Sequence, residues 1–130
     1  MIVLDASVVL EVLLRTPAAR KIEGRIFAKK QTLHAPHLLD LEVAQVLRRY
    51  SAAGELGGER GRLALEDLAD FPIDRYPHDL FLPRIWELRN TVTAYDASYI
   101  ALAEALSAPL FTRDRRLAAA LGPPAIIELV

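Results

Sequence analysis

The chain has no cysteine among its 130 residues, which removes disulfides, thiolate zinc sites and cysteine nucleophiles together. Histidine is scarce, at three residues, and aromatics make up only 7%, with one tryptophan. Small aliphatic side chains must therefore do most of the packing. No stretch approaches the roughly 18 uninterrupted apolar residues of a membrane helix. Met1 runs directly into a predicted strand, without the basic, apolar and small-residue series of a secretory leader, so the expected location is the cytoplasm. A strong excess of charge is missing too. The net charge of −1 argues at first against a nucleic-acid partner, since such proteins are usually basic. Setting four acids aside as metal ligands would turn that −1 into +3 on everything else. Of the 16 basic residues 13 are Arg, the side chain suited to bidentate phosphate contact, although a GC-rich genome enriches Arg equally. Charge decides little.

What is present is an apolar fraction of 52% on a chain of one-domain length, enough for a real core. Residues 2–5 read as a short buried strand and Ser7 to Leu14 as a mostly buried helix. Ala18 to Lys30 has helical spacing through Ile22, Ile26 and Phe27. Leu33 to Ala35 reads as a strand stopped by Pro36, and Leu38 to about Ala53 as a long helix. Gly54, Gly57, Gly58 and Gly61 mark a turn before a helix from Arg62 to Phe71. Ile73 to Tyr76 is a strand candidate. Leu80 to about Val92 is helical, with Pro83 tolerated in the opening turn. Ala94 to Leu106 is apolar on nearly every face and should be buried. Leu110 to Thr112 is a strand, Arg115 to Leu121 a short helix, and Ala125 to Leu129 a terminal strand. Strands alternating with helices predict an α/β fold, a three-layer α/β/α sandwich around a mainly parallel sheet of four or five strands.

Three aspartates stand where helices begin. Asp5 and Asp114 follow predicted strands, and Asp96 opens the long buried helix. Capping explains any one of them, because a carboxylate at that place accepts orphan backbone N–H groups. Asp5 has the strongest functional claim, since Ser7 could cap the following helix instead. Asp114 follows Thr112, whose hydroxyl could orient a ligand or bond backbone. Together they say more. In doubly wound sheets ligand sites lie at the carboxyl ends of the strands, and helix N-termini there favour negative charge. Carboxylates gathered without Cys and with few His are what hard divalent cations bind.

A fourth acid is less easily chosen. At about 100° per residue, Leu39, Val43, Val46 and Leu47 define the apolar arc of the third predicted helix. Glu42 falls on one margin of this arc and Asp40 on the other. Helix geometry permits Glu42 to reach inward without singling it out, and a solvated acid paired with Arg49 is the plainer alternative.

Four segments match a known pattern: Val3-Leu4-Asp5-Ala6-Ser7, Glu42 to Arg49, Tyr95-Asp96-Ala97-Ser98-Tyr99-Ile100-Ala101-Leu102-Ala103, and Leu110-Phe111-Thr112-Arg113-Asp114. In this order they resemble the PIN domain, and within it the VapC-type toxins of bacterial toxin–antitoxin pairs, across essentially residues 1–130 as a single PIN-like domain. The resemblance implies an acidic quartet at Asp5, Glu42, Asp96 and Asp114, with Ser7 and Thr112 at its hydroxyl positions. It implies Mg²⁺- or Mn²⁺-dependent endoribonuclease activity leaving a 5′-phosphate and a 3′-hydroxyl. It further implies a homodimer, a small cognate antitoxin that occludes the site, and a prokaryotic cell.

Four carboxylates within a few ångströms repel one another unless a cation removes the repulsion. Asp5 and Asp96 are assigned as direct ligands, with Glu42 and Asp114 binding directly or through water. One ion or two would polarise the scissile phosphate and activate water. Arg113, Arg115 and Arg116 could hold the RNA backbone nearby, or form a solvated helix start. Arg15, Arg48 and Arg49 are weaker candidates. His34, His37 and His78 sit away from the motifs and read as surface or loop residues. Trp86 reads as core or subunit interface rather than a base-stacking platform, as do Phe71, Phe81 and Leu82. A phosphoaspartyl phosphatase would want an acid where Ser7 stands, and a receiver-like domain a Lys where Arg residues flank Thr112. A catalytically silent binding module is the remaining alternative, disfavoured by an intact quartet.

Overall fold

The computed structural model describes residues 1–120 and 125–130. Five strands, β1 (Ile2–Leu4), β2 (Leu33–Pro36), β3 (Ile73–Tyr76), β4 (Leu110–Thr112) and β5 (Ile127–Leu129), form one parallel sheet in the order β3-β2-β1-β4-β5. The helices are α1 (Ala6–Leu13), α2 (Ala19–Ile26), α3 (Leu38–Ala52), α4 (Gly58–Ala69), α5 (Leu82–Glu87), α6 (Ala94–Leu106) and α7 (Arg115–Ala118). β1 and β4 are buried along their whole length, as strands covered on both faces must be.

The strand order reverses at β1. The chain steps outward from β1 through β2 to β3, then returns through α5 and α6 to β4 on the other side of β1. Right-handed crossovers place the outward helices on one face and the returning helices on the opposite face. Helices α1 to α4 accordingly pack among themselves, while α6 pairs with α5 and lies across β1, β2 and β4. The reversal opens a crevice at the carboxyl ends of β1 and β4, the place where such sheets bind ligands. The register Leu4↔Phe111 sets Asp5 beside Thr112 there, with the Asp5 N–H donating to the Phe111 carbonyl at 3.2 Å.

Helix α6 is buried continuously from Ala97 to Ala103, as its apolar sequence predicts. Several boundaries differ from those read in the sequence. Helix α4 begins at Gly58, so Gly58 and Gly61 are helical. Gly57 takes the extended start, Glu59 supplies a favourable acid in the first turn, and Gly61 lies against Leu56. Among the glycines of the described residues only Gly54, at φ +74° just past α3, uses a left-handed conformation. The segment expected to be helical from Leu80 to Val92 is a 3₁₀ turn (Asp79–Phe81) followed by α5, which ends at Glu87. Pro83 restarts the helix, and Asn90, Thr91 and Thr93 are poor helix formers. Leu121, expected to end α7, lies outside the described residues.

His34 corrects a second expectation. It is buried on β2, with its ring nitrogens 2.8 Å from Thr32 Oγ1 and 2.7 Å from the Tyr76 hydroxyl, so it knits β2 to β3 rather than sitting in a loop. Trp86 is 68% exposed and belongs to no core, whereas Phe71 is buried and packs on Phe27.

Candidate active site

Asp5 ends β1 and caps α1, with Oδ1 accepting the Val8 N–H at 3.3 Å. The Ser7 hydroxyl donates to the same oxygen at 2.5 Å, and the Thr112 hydroxyl donates to Oδ2. Both hydroxyls are themselves held. The Arg113 N–H donates to Ser7 Oγ and the Asp114 N–H to Thr112 Oγ1, each at 2.9 Å. The ends of β1 and β4 are thus stitched across the crevice. Ser7 is not the helix cap that the sequence allows it to be. It sits one position inside the first turn, where its proton goes to Asp5.

Glu42 stands in the second turn of α3, half-buried, and accepts the Tyr99 hydroxyl of α6 at 2.6 Å. Asp40 turns away and spans the Arg75 Nε of β3 at 2.9 and 3.0 Å. Of the two acids on the margins of the α3 arc, Glu42 is thus directed to α6 and Asp40 to β3. Arg49 does not engage Glu42 among the described residues.

Asp96 is half-buried in the first turn of α6, but its carboxylate is not the cap. Thr93 fills that role, its Oγ1 accepting the Asp96 N–H at 3.1 Å. Asp114 caps α7, with Oδ1 accepting the Arg116 N–H at 2.9 Å.

Electrostatics ties the four together. Burial pushes the Asp5 carboxyl above its usual range, against the bonds from Ser7, Thr112 and Val8, and the charge of Asp96 adds to the rise. Burial also raises Glu42, opposed by Tyr99 and reinforced by Asp96 and Asp5. Asp96 is raised by burial and then by Asp114. Asp5, Glu42 and Asp96 thus each feel the charge of another of the four acids. Among the described residues no three such side chains enclose a cation as placed. The donor set is nonetheless all oxygen, and Mg²⁺ keeps several waters while taking one or two direct carboxylates. These residues fit a hard divalent cation.

Two grooves reach the acids, one at Glu42 and the other at Asp96 and Asp114. One, of about 570 Å³, runs between α1 and α3 past Ser7, Glu42 and Arg113. The other, of about 470 Å³, runs past Asp96 and Asp114 to Arg89 and Arg116. The three arginines grouped by sequence therefore part company. Arg113 bonds the Val130 carbonyl and faces Glu11 at 3.5 Å, Arg116 enters the second groove, and Arg115 lines neither. Sequence reasoning missed Tyr99 and Arg89. Tyr99 follows Asp96 by three residues on one helix face, a spacing that could have marked it. Arg89 carried no comparable signal.

Known proteins resemble this chain in sequence and in fold. The family model described as the PIN domain matches residues 2–121. Ribonuclease VapC1 of Mycobacterium tuberculosis (strain ATCC 25618 / H37Rv) is 46% identical over 132 residues, covering 98% of this chain and 96% of the relative. Ribonuclease VapC12 of the same strain is 39% identical over 130 residues, covering 100% and 99%. The crystal structure of PAE2754 from Pyrobaculum aerophilum superimposes with a TM-score of 0.70 at 26% identity, over 97% of this chain and 82% of that one.

Proposed function

The chain belongs to the PIN domain family, and from that premise we propose that it hydrolyses RNA with one or two Mg²⁺ or Mn²⁺ ions held by Asp5, Glu42, Asp96 and Asp114. It is a ribonuclease of the VapC kind, the toxin member of a toxin–antitoxin pair. The observation that supports the site is the set of half- to fully buried acids, of which Asp5, Glu42 and Asp96 are each raised by burial and by a neighbouring acid's charge. No stability argument accounts for such a set, whereas a cation reverses its cost.

A bound divalent cation supplies polarisation of the phosphate and a more acidic water. The chain's own contribution is orientation. Ser7 and Thr112 donate to the two oxygens of Asp5 and hold its carboxylate in one orientation, with Oδ2 accepting a single bond. Tyr99 fixes one oxygen of Glu42 and leaves the other available. Asp96 and Asp114 close the opposite side, where Arg116 can meet the RNA backbone. Among the described residues no histidine or lysine lines either groove as a general base, which favours water activation by the cation over attack by the RNA 2′-hydroxyl.

The wider assignment is a single PIN-like domain over residues 1–130, acting in the cytoplasm of a prokaryotic cell. Among the described residues no helix is long and apolar enough to cross a membrane. A cognate antitoxin fits the groove between α1 and α3, whose apolar wall suits a protein segment. A homodimer is supported by Leu80, Leu82 and Trp86, exposed by 80%, 53% and 68% on one short stretch. Sedimentation of wild type against Leu80→Asp/Trp86→Asp tests it.

The site reading predicts RNA cleavage that EDTA suppresses and Mn²⁺ or Mg²⁺ restores. Asp5→Asn and Asp96→Asn should each lower it by more than about 100-fold, beyond the usual effect of a supporting residue. Full activity in EDTA, or in both variants, sinks the mechanism.

A further inference from the structure

The two grooves differ in kind. The first has an apolar wall of Leu10, Leu14 and Val46, and its arginines, Arg49 and Arg113, stand with Glu11 and Glu42, Arg113 being engaged by Glu11 at 3.5 Å and by the Val130 carbonyl. The second lies between the α5–α6 connection and α7, and its exposed rim holds Arg89, Asn90, Thr91 and Arg116. Its inner wall is Asp96 and Asp114 themselves, so an occupant lies directly against the reacting bond. Resting on the ribonuclease reading, we propose that this second cleft seats the nucleotide joined to the scissile phosphate, with Arg89 and Arg116 on the backbone and Asn90 on the base.

The cations are placed for this. Arg89 lays its guanidinium over Trp86 at 4.8 Å and donates one N–H to the Trp86 carbonyl at 2.9 Å. Stacking of this kind fixes the plane of the group and leaves its remaining N–H edge free. Among the described residues Arg89 pairs with no carboxylate. Arg116 is 95% exposed along its side chain, and its Nε stands 4.0 Å from Asp114, so it can swing to a phosphate at little cost. One arginine is held and the other is mobile in its reach, on the same cleft.

Recognition of the base falls to Asn90. Its side-chain amide offers donors and an acceptor, the pattern that reads the edge of an unstacked base. It stands beyond the end of α5, where the chain is no longer helical. The cleft, at about 470 Å³, lies within the range of about 300–1,000 Å³ common for small-ligand sites. The first groove stays available to a protein segment, so substrate and inhibitor approach the acids from different sides.

The test uses the full chain and labelled single-stranded RNA decamers in EDTA, read by fluorescence anisotropy. Arg89→Ala and Arg116→Ala should each weaken binding about tenfold and lower the slope of log affinity on log salt by roughly 0.7. Arg89→Lys should recover part of the loss. With Mn²⁺, both alanine variants should raise KM while kcat holds. Asn90→Ala should flatten the base preference at one position beside the cut when products from randomised RNA are mapped. A cleaving wild type with affinity, salt slope and preference unchanged in all three variants overturns the cleft and spares the nuclease. Loss at Arg49→Ala instead of Arg89→Ala puts the RNA in the first groove and also overturns it. RNA binding through Arg89 and Arg116 without any cleavage keeps the cleft and removes the nuclease reading. All three side chains are exposed, so melting temperatures should match wild type.

Discussion

Tyr99 shows how much of the site rests on groups that never touch substrate. Fully buried in α6, it gives its only proton to Glu42. Tyr99→Phe keeps the ring and removes that bond, so Glu42 should lose its fixed orientation. Mn²⁺ affinity, measured by calorimetry, should fall by about 10-fold or more, the range seen when a partner of a metal ligand is removed. Unchanged affinity would show that Glu42 needs no partner. Asp5, Asp96 and Asp114 were legible in the sequence because the start of a helix after a strand or loop is a local pattern. Glu42 was legible only through the family resemblance, since the arc of α3 offers Asp40 equally. Tyr99 was invisible as a partner, because a bond between residues 57 apart leaves no local trace.

Element by element, α3 makes the sharpest distinction. It carries Asp40 toward β3 and Glu42 toward the crevice, two residues apart. Asp40→Asn should therefore leave RNA cleavage intact while Glu42→Gln abolishes it. Arg75→Ala, which also frees the Leu68 and Ile73 carbonyls, should cost about 1–3 kcal/mol in a urea melt with cleavage retained. Loss of activity in Asp40→Asn would mean the partners seen here are not those of the working enzyme. The order of helices and strands followed from apolar periodicity, and α6 matched in full because thirteen continuous residues carry its signal. The shortened α5 and the early start of α4 did not follow. Pro83 and Gly58 act one way by propensity and another once packed, and tertiary contacts decide between them.

For the whole molecule, the raised acids make stability depend on pH in an uncommon sense. Asp5, Glu42 and Asp96 hold protons in the folded chain that the unfolded chain releases, so folding is favoured below about pH 4 to 5 and weakened as pH rises through their elevated values. The difference in melting temperature between Asp96→Asn and wild type, both metal-free, should widen in the variant's favour as pH rises toward 7. Millimolar Mn²⁺ at neutral pH should narrow it by stabilising wild type alone. A pH-independent difference would remove the electrostatic account. The bond between Asp5 and Thr112 joins residues 107 apart, across the centre of the sheet. On a ribosome, the first half of that pair emerges long before the second exists. Until β4 has been made and has closed against β1, Asp5 has no Thr112 to hold it and Asp96 has no Asp114 to face. A cell translating this message therefore makes a harmless chain until β4 is in place, and the hazard then arrives all at once.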